Sequence, residues 1–410
     1  MKVRTIILVT AIPLTLLAVA LLGGSSLVLR LFFLSLLLLL VNYLWTVLGI
    51  RGITVQAEPP PEHCQVGKKF QQGMTVINNS RLPKLWLRIE EGASLPGHRD
   101  AVVLNLSGGD SHHWESSVYC HRRGRYDLGT VIATSTDPFG FFTRQRTLGE
   151  AHSILVYPAT FDLPLFKSVS FDEFGLSAGY QSISQLSSNA SSVREFYSGD
   201  SLSRIHWPST AHTSRLMVKM FDADHSSNVA KTVWVVLDMQ AEVHVGEGDE
   251  STEEYAVNVA ASLVKKHLDA GMQVGLLASG DRFYHIPPGR GEEHLWRILE
   301  VLATARATGE MPVERLIVDQ MDLLRGNSII IIVTPSVTGG LFDATRQLRN
   351  RVDTVVAVQF DVSSFGGESG ALNIARNLSA IGVQVYVIRQ GDEIASALDH
   401  RVSLLHARHF

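Results

Sequence analysis

The sequence predicts a multi-domain chain: a two-helix transmembrane hairpin, an antiparallel β-sandwich, and an α/β doubly wound domain. Three observations predict it. Two long apolar runs stand at the N-terminus, separated by Gly23-Gly24-Ser25-Ser26. Short apolar runs between turn signals follow, up to about Pro158. From Ala230 onward, apolar strand-like runs alternate with helical periods. The expected boundaries are 1–51 for the hairpin, 52–158 for the sandwich, 159–228 for a connecting segment and 229–410 for the α/β domain.

The first apolar run spans Thr5 to Leu22 and the second Leu27 to Ile50. Roughly 20 helical residues cross a hydrocarbon core, and both runs are near that length. Buried helices of soluble proteins usually keep a polar face, and these runs have none. Lys2, Arg4 and then Ala18-Val19-Ala20 also imitate a signal peptide with its cleavage site. A cut signal followed by a stop-transfer helix and an uncut hairpin both leave the C-terminal part on one side. Lys2, Arg4, Arg51, Lys68 and Lys69 place that side in the cytoplasm, with Arg30 near the turn as a weak counter-signal. The expectation is a plasma (inner) membrane protein whose soluble part is cytoplasmic.

Within 52–158, strand candidates are Met74–Ile77, Leu85–Ile89, Ala101–Leu104, Ser117–Tyr119, Asp127–Ile132 and Ser153–Tyr157. Short strands with Gly, Asn and Pro punctuation predict an antiparallel sandwich. Residues 159–228 fit neither period, and Ser177 to Ser192 is Ser-rich. In the α/β part, Val233–Leu237 is a continuous apolar run, as in a strand covered on both faces. Thr252–Ala270 is a predicted helix with Gly271 placed to end it. Strands at Gln273–Ala278, Ser328–Val333, Thr354–Gln359 and Val383–Ile388 follow, with an edge strand at Arg282–Ile286. Helices are predicted at Glu292–Ala305, Leu341–Arg349 and up to Ile381. Ser328–Val333 is the most apolar strand and is expected at the centre.

Composition excludes several functions. Of 410 residues, 19% are charged and the formal net charge is −4. Without a basic stripe, nucleic acid is not an expected partner. The two cysteines, Cys64 and Cys120, form no CxxC motif and suit a reduced compartment as well as a pair. His112-His113 and His406/His409 lack carboxylates at ligand spacing. There is no GxxxxGK[ST] loop for ATP. Gly199-Asp200-Ser201-Leu202 spells a serine-hydrolase motif, but upstream of the α/β domain and without a C-terminal Asp-x-x-His.

The stretch from Val193 to Ala211 resembles the hallmark of the domain-of-unknown-function 58 family, through Arg194, Glu195, Gly199, Asp200, Arg204, Ile205, Trp207, Thr210 and Ala211. Arg123-Gly124-Arg125-Tyr126-Asp127-Leu128-Gly129 and Thr136-Asp137-Pro138-Phe139-Gly140-Phe141-Phe142 resemble a second family stretch. The chain departs from the pattern at Phe196, which lacks the usual tyrosine hydroxyl, and at Ser203 and His212, which lack the usual arginine charge. The resemblance implies a membrane hairpin, a β-sandwich and a von Willebrand factor A-like domain in series. It also implies association with a MoxR-type AAA+ ATPase.

Such an α/β domain is expected to carry Asp-x-Ser-x-Ser after its first strand, joined by Thr and Asp from later loops. Here the loop reads Asp238-Met239-Gln240-Ala241-Glu242, and Thr334-Pro335-Ser336 follows the central strand. Gln240 and Glu242 are longer than the serines they replace. Mg²⁺ tolerates little misplacement of its oxygens, so the set Asp238, Gln240, Glu242, Thr334 and Ser336 is a degenerate site and no metal or other cofactor is expected. Asp238 alone is expected to cap its turn.

The expected function is a membrane-tethered, non-enzymatic scaffold. Its partners are the lipid bilayer and a protein bound through the α/β domain. The alternative is an envelope-associated hydrolase using Ser201. Arg194, Glu195, Phe196, Gly199, Asp200, Arg204 and Trp207 form either a partner-binding surface or a structural clasp. The clasp is favoured: Arg194, Asp200 and Arg204 pair, and Trp207 is buried as a plug.

Overall fold

The computed structural model describes residues 3–23, 26–92, 95–96, 101–166, 192–195, 205–213, 215–220 and 232–399. The chain divides into two units, Met1–Ala159 and Thr160–Phe410.

In the first unit, helices α1 (Val3–Gly23) and α2 (Ser26–Ile50) lie against one another. α2 is long and apolar enough to cross a membrane, with a mean hydropathy of 2.3. The apolar part of α1 whose side chains are described, Ala11–Gly23, is shorter. Most of α2 is exposed apolar surface, but Asn42, Thr46 and Ile50 are buried. Spaced four apart, these three form one stripe. That stripe rests on β-strands of the same unit.

Ten strands follow: β1 (Ile53–Ala57), β2 (Cys64–Gln65), β3 (Lys69–Asn78), β4 (Lys84–Glu91), β5 (Ala101–Leu106), β6 (Ser111–Tyr119), β7 (Gly124–Leu128), β8 (Val131–Thr136), β9 (Thr143–Leu148) and β10 (His152–Tyr157). They form sheets in the orders β1-β3-β6, β5-β4-β8-β9 and β2-β10-β7. Met74 and Val76 of the first sheet share a core with Leu87, Ile89, Leu104, Val131 and Ala133 of the second. Cys64, Val118, Cys120, Leu128, Ile154 and Val156 make a second core. The β-rich character follows the sequence reading, with two corrections: β2 runs parallel to β10, and the single strand expected at Asp127–Ile132 is broken at Gly129 into β7 and β8, which belong to different sheets. No hairpin joins β2 and β10, so nothing forces them antiparallel.

A lysine and a glycine show how tightly α2 is seated. Lys84, 2% exposed, donates from Nζ to the carbonyl of Leu48 at 2.6 Å. Burial pulls its pKa down from the ordinary lysine range. A Cβ on Gly49 would collide with Ser135 Oγ, so the last turn of α2 lies directly on β8. At the far end of β3, Lys69 Nζ lies 5.8 Å from the Tyr119 ring centroid, against a neighbouring strand.

The second unit opens with a strap, Thr160–Phe166, part of the segment expected to be a linker. A short ladder comes next, β11 (Ser192–Glu195) against β12 (Met217–Met220), with α3 (Trp207–Thr213) between them in sequence. The main sheet uses β13 (Thr232–Asp238), β14 (Gln273–Ser279), β15 (Phe283–Gly289), β16 (Gly326–Thr334), β17 (Val352–Phe360) and β18 (Gln384–Ile388). Its order is β15-β14-β13-β16-β17-β18, parallel except for the antiparallel edge strand β15. Helices α4 (Thr252–Asp269), α5 (Glu292–Thr304), α6 (Val313–Asp319), α7 (Gly339–Arg349), α8 (Ala371–Ala380) and α9 (Ile394–Ala397) connect or follow the strands. Every residue from Val233 to Asp238 is buried, as covering on both faces requires. β13 and β16 are central, which matches the apolar ranking of the strands.

The strap is tied to α4. Phe161 N–H donates to Ser262 Oγ at 2.9 Å, and Lys266 Nζ donates to the Leu163 carbonyl at 2.5 Å. Phe166 packs on Tyr386 and on His267. His267 is fully buried, and that burial lowers its pKa to about 4.

Gly275 sits in β14 under the ring of Trp234. A Cβ there would approach Trp234 Cε3 and Cζ3 to 2.6 Å and the Ile286 carbonyl oxygen to 3.1 Å. Gly275→Ala should therefore destabilise the α/β unit by about 1–3 kcal/mol, the usual cost of overpacking. Thermal melting of the detergent-solubilised chain measures it; an unchanged midpoint contradicts this packing.

Candidate functional site

The carboxyl ends of parallel strands are where open α/β sheets place their ligand sites. Here that edge joins two neighbouring central strands. Asp238 ends β13, and Thr334 ends β16. Thr334 Oγ1 donates to Asp238 Oδ2 at 2.6 Å, and Gln240 N–H donates to Asp238 Oδ1 at 3.1 Å. The second bond is the turn cap expected of Asp238. Thr334 Oγ1 also accepts from Ser336 N–H at 2.9 Å.

From Ser336, which the sequence singled out, the network continues outward through Thr338, Glu314 and Gln359, which motif reading missed. Ser336 Oγ and Thr338 Oγ1 are 3.2 Å apart, and Thr338 Oγ1 donates to Glu314 Oε1 at 3.1 Å. Gln359 donates from Nε2 to the Ser336 carbonyl at 2.8 Å. His244 Nε2 lies 2.9 Å from the Asp238 carbonyl oxygen, and its Nδ1 lies 3.1 Å from Thr252 Oγ1. The loop after β13 is pinned by Ala241 N–H to the Gly309 carbonyl and by Gly309 N–H to the Met239 carbonyl. Glu314 stands on α6, a helix with no sequence signal strong enough to predict it.

Burial is the main cause of the Asp238 titration: it pushes the carboxyl up to about 6. The Thr334 and Gln240 hydrogen bonds pull it down, and the Glu314 charge adds to the rise. Glu314 Oε2 is buried and has no hydrogen-bond partner among the described residues. The two acids thus repel each other across a dry edge.

A divalent cation would relieve that repulsion, but the donors do not suit one. Both Asp238 oxygens already accept hydrogen bonds, and the Thr334 hydroxyl proton points at Asp238. Gln240 Nε2 donates to Glu242 Oε2 at 3.3 Å, so these two side chains engage each other and Glu242 stays exposed. Among the described residues no group of three or more His, Cys, Asp or Glu is placed to hold a metal. Proton uptake by Asp238 is the relief the geometry offers.

Residues 192–363 match the family model described as "Protein of unknown function DUF58". The match takes in the β11–β12 ladder and the whole Asp238–Thr334–Glu314 network. The chain is 25% identical over 193 residues to the uncharacterized protein YeaD of Bacillus subtilis, covering 47% of this chain and 46% of that protein. It is 27% identical over 144 residues to the uncharacterized protein Rv1480 of Mycobacterium tuberculosis, covering 34% and 44%. The chain thus spans less than half the length of these relatives. A solved structure, proximal thread matrix protein 1 from the mussel byssus, is 13% identical with a TM-score of 0.30 over 44% of this chain and 48% of that one. A likeness that slight carries no argument.

The DUF58 match begins on the hallmark. Arg194 and Glu195 lie in β11, paired with Val218 and Met217 of β12. Phe196, Gly199, Asp200, Ser201 and Arg204 lie outside the described residues. Ile205 is buried. His206 opens α3: its Nδ1 accepts from Ser209 N–H at 3.3 Å and lies 2.7 Å from Ser209 Oγ. The turn is locked to β12, with His206 N–H donating to the Met217 carbonyl at 2.7 Å and Met217 N–H to Thr210 Oγ1 at 3.0 Å. The expectation of a buried Trp207 is corrected here: Trp207 is 66% exposed. The apolar anchor beside it is Ile205, and α3 turns the indole outward.

Two outcomes test the edge. The Asp238 carboxyl titrates near 3.8 when unfolded and near 6 when folded. Between those values the folded state binds more protons, so stability falls as pH rises through the window. The full penalty, up to about 3 kcal/mol at about 1.4 per pH unit, is present only above about pH 6. Asp238→Asn should stabilise the unit at pH 7, and the gain should vanish near pH 4. Equal effects at both pH values would show that Asp238 is not desolvated. Separately, millimolar Mg²⁺ or Mn²⁺ should leave the melting temperature unchanged, since a ligand that binds only the native state must raise it. A rise abolished by Asp238→Ala would overturn the donor argument.

Proposed function

We propose that this chain is a membrane-tethered, non-enzymatic scaffold whose von Willebrand factor A-like α/β unit binds a protein partner. The partner implied by the family resemblance is a MoxR-type AAA+ ATPase. On this reading α1 and α2 form the hairpin anchor in the inner membrane, the β-rich unit is a sandwich spacer, and both soluble units face the cytoplasm.

The observation that carries the reading is the exposed Trp207. Tryptophan dominates binding hot spots because one rigid side chain removes a large apolar area from water. An indole held outward on a hydrogen-bonded turn is pre-organised for that role, since little conformational freedom is lost on docking. The Asp238 edge supports the reading in a second way. Its hydroxyls and acids are tied to one another, so they stiffen the sheet end rather than activate a nucleophile.

The test uses the purified full chain and the MoxR-type ATPase of the same organism in a direct binding measurement. Trp207→Ala should weaken binding more than about tenfold, the factor that a hot-spot loss above about 1.4 kcal/mol produces. The same variant should melt within about 0.5 kcal/mol of wild type, as surface substitutions do. Unchanged binding with unchanged melting would sink the proposal.

A further inference from the structure

We propose that the end of the β-rich unit from which α2 emerges is a membrane-interface collar. Leu82, Leu85, Trp86 and Phe139 seat in the lipid headgroup layer, and Arg81 and Arg144 meet anionic lipid phosphates. The proposal rests on the reading that α2 spans a bilayer.

The collar is fixed to the helix, so its height along α2 is defined. Lys84 holds the Leu48 carbonyl, and Phe142 packs edge-on against Tyr43 with ring centroids 5.8 Å apart. A span of roughly 20 residues counted from Ser26 ends near Trp45. The Phe142 contact with Tyr43 therefore lies at the level where hydrocarbon gives way to headgroups. The loop that carries Phe142 is built on one acid. Asp137 accepts from Phe139 N–H through Oδ2 at 3.1 Å and from Phe142 N–H through Oδ1 at 2.5 Å. This turn leaves Phe139 61% exposed, stacked on Phe141 with centroids 5.7 Å apart.

The second element is a bulge in β4. Pairing with β5 runs Lys84↔Leu106 and then Leu87↔Leu104, so β4 spends three steps against two. A regular strand turns alternate side chains to opposite faces. Here two consecutive apolar residues are turned out, with Leu85 41% and Trp86 56% exposed between buried Lys84 and Leu87. Trp86 has φ 52°, a left-handed conformation that a bulky residue rarely adopts. Its N–H donates to Asn105 Oδ1 at 2.8 Å, which holds the strained residue in place. Folding alone gains nothing from placing an indole this way, and strain of this kind clusters at sites that bind. Leu82, 49% exposed, lies on the adjoining turn, where its carbonyl accepts from Asn78 Nδ2.

The chemistry fits one occupant. Indole rings favour the headgroup region, where one edge is wet and the face is apolar. Arg81 adjoins Leu82, Arg144 follows Phe142 by two residues, and both are exposed. Guanidinium groups pair with phosphate through charge-assisted hydrogen bonds, and anionic leaflets attract them. The leucines of α2, among them Leu37 and Leu40, are exposed in the same unit.

The full chain, as Phe139→Cys and separately as Lys68→Cys, is labelled with an environment-sensitive fluorophore. Native Cys64 and Cys120, 5% and 0% exposed, stay unlabelled under these conditions, with wild type as background. Lys68 adjoins the opposite end of β3 from the collar. Each protein is reconstituted into phosphatidylcholine–phosphatidylglycerol liposomes carrying a shallow nitroxide lipid. The label at 139 should be blue-shifted and quenched severalfold more than the label at 68. That difference should shrink in phosphatidylcholine alone and in Arg81→Glu/Arg144→Glu. A chain that floats with the liposomes but shows equal quenching at both sites overturns the collar, as a site for a protein partner would. Quenching at 139 that is indifferent to phosphatidylglycerol removes the arginines from it. Failure to float overturns the spanning reading, and the collar with it.

Discussion

The last turn of α2 has carbonyls with no helical partner, and Lys84 meets one of them. A helix C-terminus is the favourable place for a cation, both for its free carbonyls and for its partial negative charge. The bond is enclosed: Lys84 is 2% exposed, and desolvation lowers its pKa. Burying a charge in this way is tolerated only when its partner is well placed. Lys84 is therefore the point where an apolar helix becomes part of a folded β-rich unit. Asn42, Thr46 and Ile50 are buried on the same helix, which packs on β4, β8 and β9.

These contacts seat the β-rich unit on the last turns of α2. Strand β4 starts at Lys84, bulges at Trp86 and re-enters the core at Leu87. The residue that secures the helix and the residues that face outward thus lie within one turn of chain. Phe142, just before β9, makes a further contact with the helix, edge-on against Tyr43. A flexible tether would need neither feature.

In the α/β unit the corresponding constraint is the bond between Asp238 and Thr334, which joins the two central strands at their carboxyl ends. Both faces of β13 are covered, so the acid ends in a dry place and its pKa rises to about 6. The hydroxyl chain runs on through Ser336 and Thr338 to Glu314 Oε1, and Glu314 Oε2 is left without a partner among the described residues. Each donor and acceptor used for this tie is one fewer available for a ligand. The exposed Trp207 belongs to a separate structure, the β11–β12 ladder with its short helix. The exposed indole and the sheet edge thus lie in different parts of the DUF58 match.

The amino-acid sequence by itself determined the order of the parts: apolar helices, a β-rich region, then alternating strands and helices. Solvent explains why. Strands covered on both faces must be apolar throughout, so Val233–Leu237 and Ser328–Val333 are visible as runs, and α4 shows its apolar stripe. Asp238 was legible as a turn cap for the same local reason, since an Asx turn lies within three residues. β9 was not legible, because five of its six residues are exposed polar groups on a sheet edge. α6 is seven residues long, too short for a period to show, and with it Glu314 was missed. Only the tertiary structure could bring Thr334 to Asp238 across 96 residues. Only it could seat Lys84 on α2 and turn Trp86 and Trp207 to the surface. Whether an indole is buried depends on which other segments arrive beside it, and that information lies in the packing, not in the local pattern.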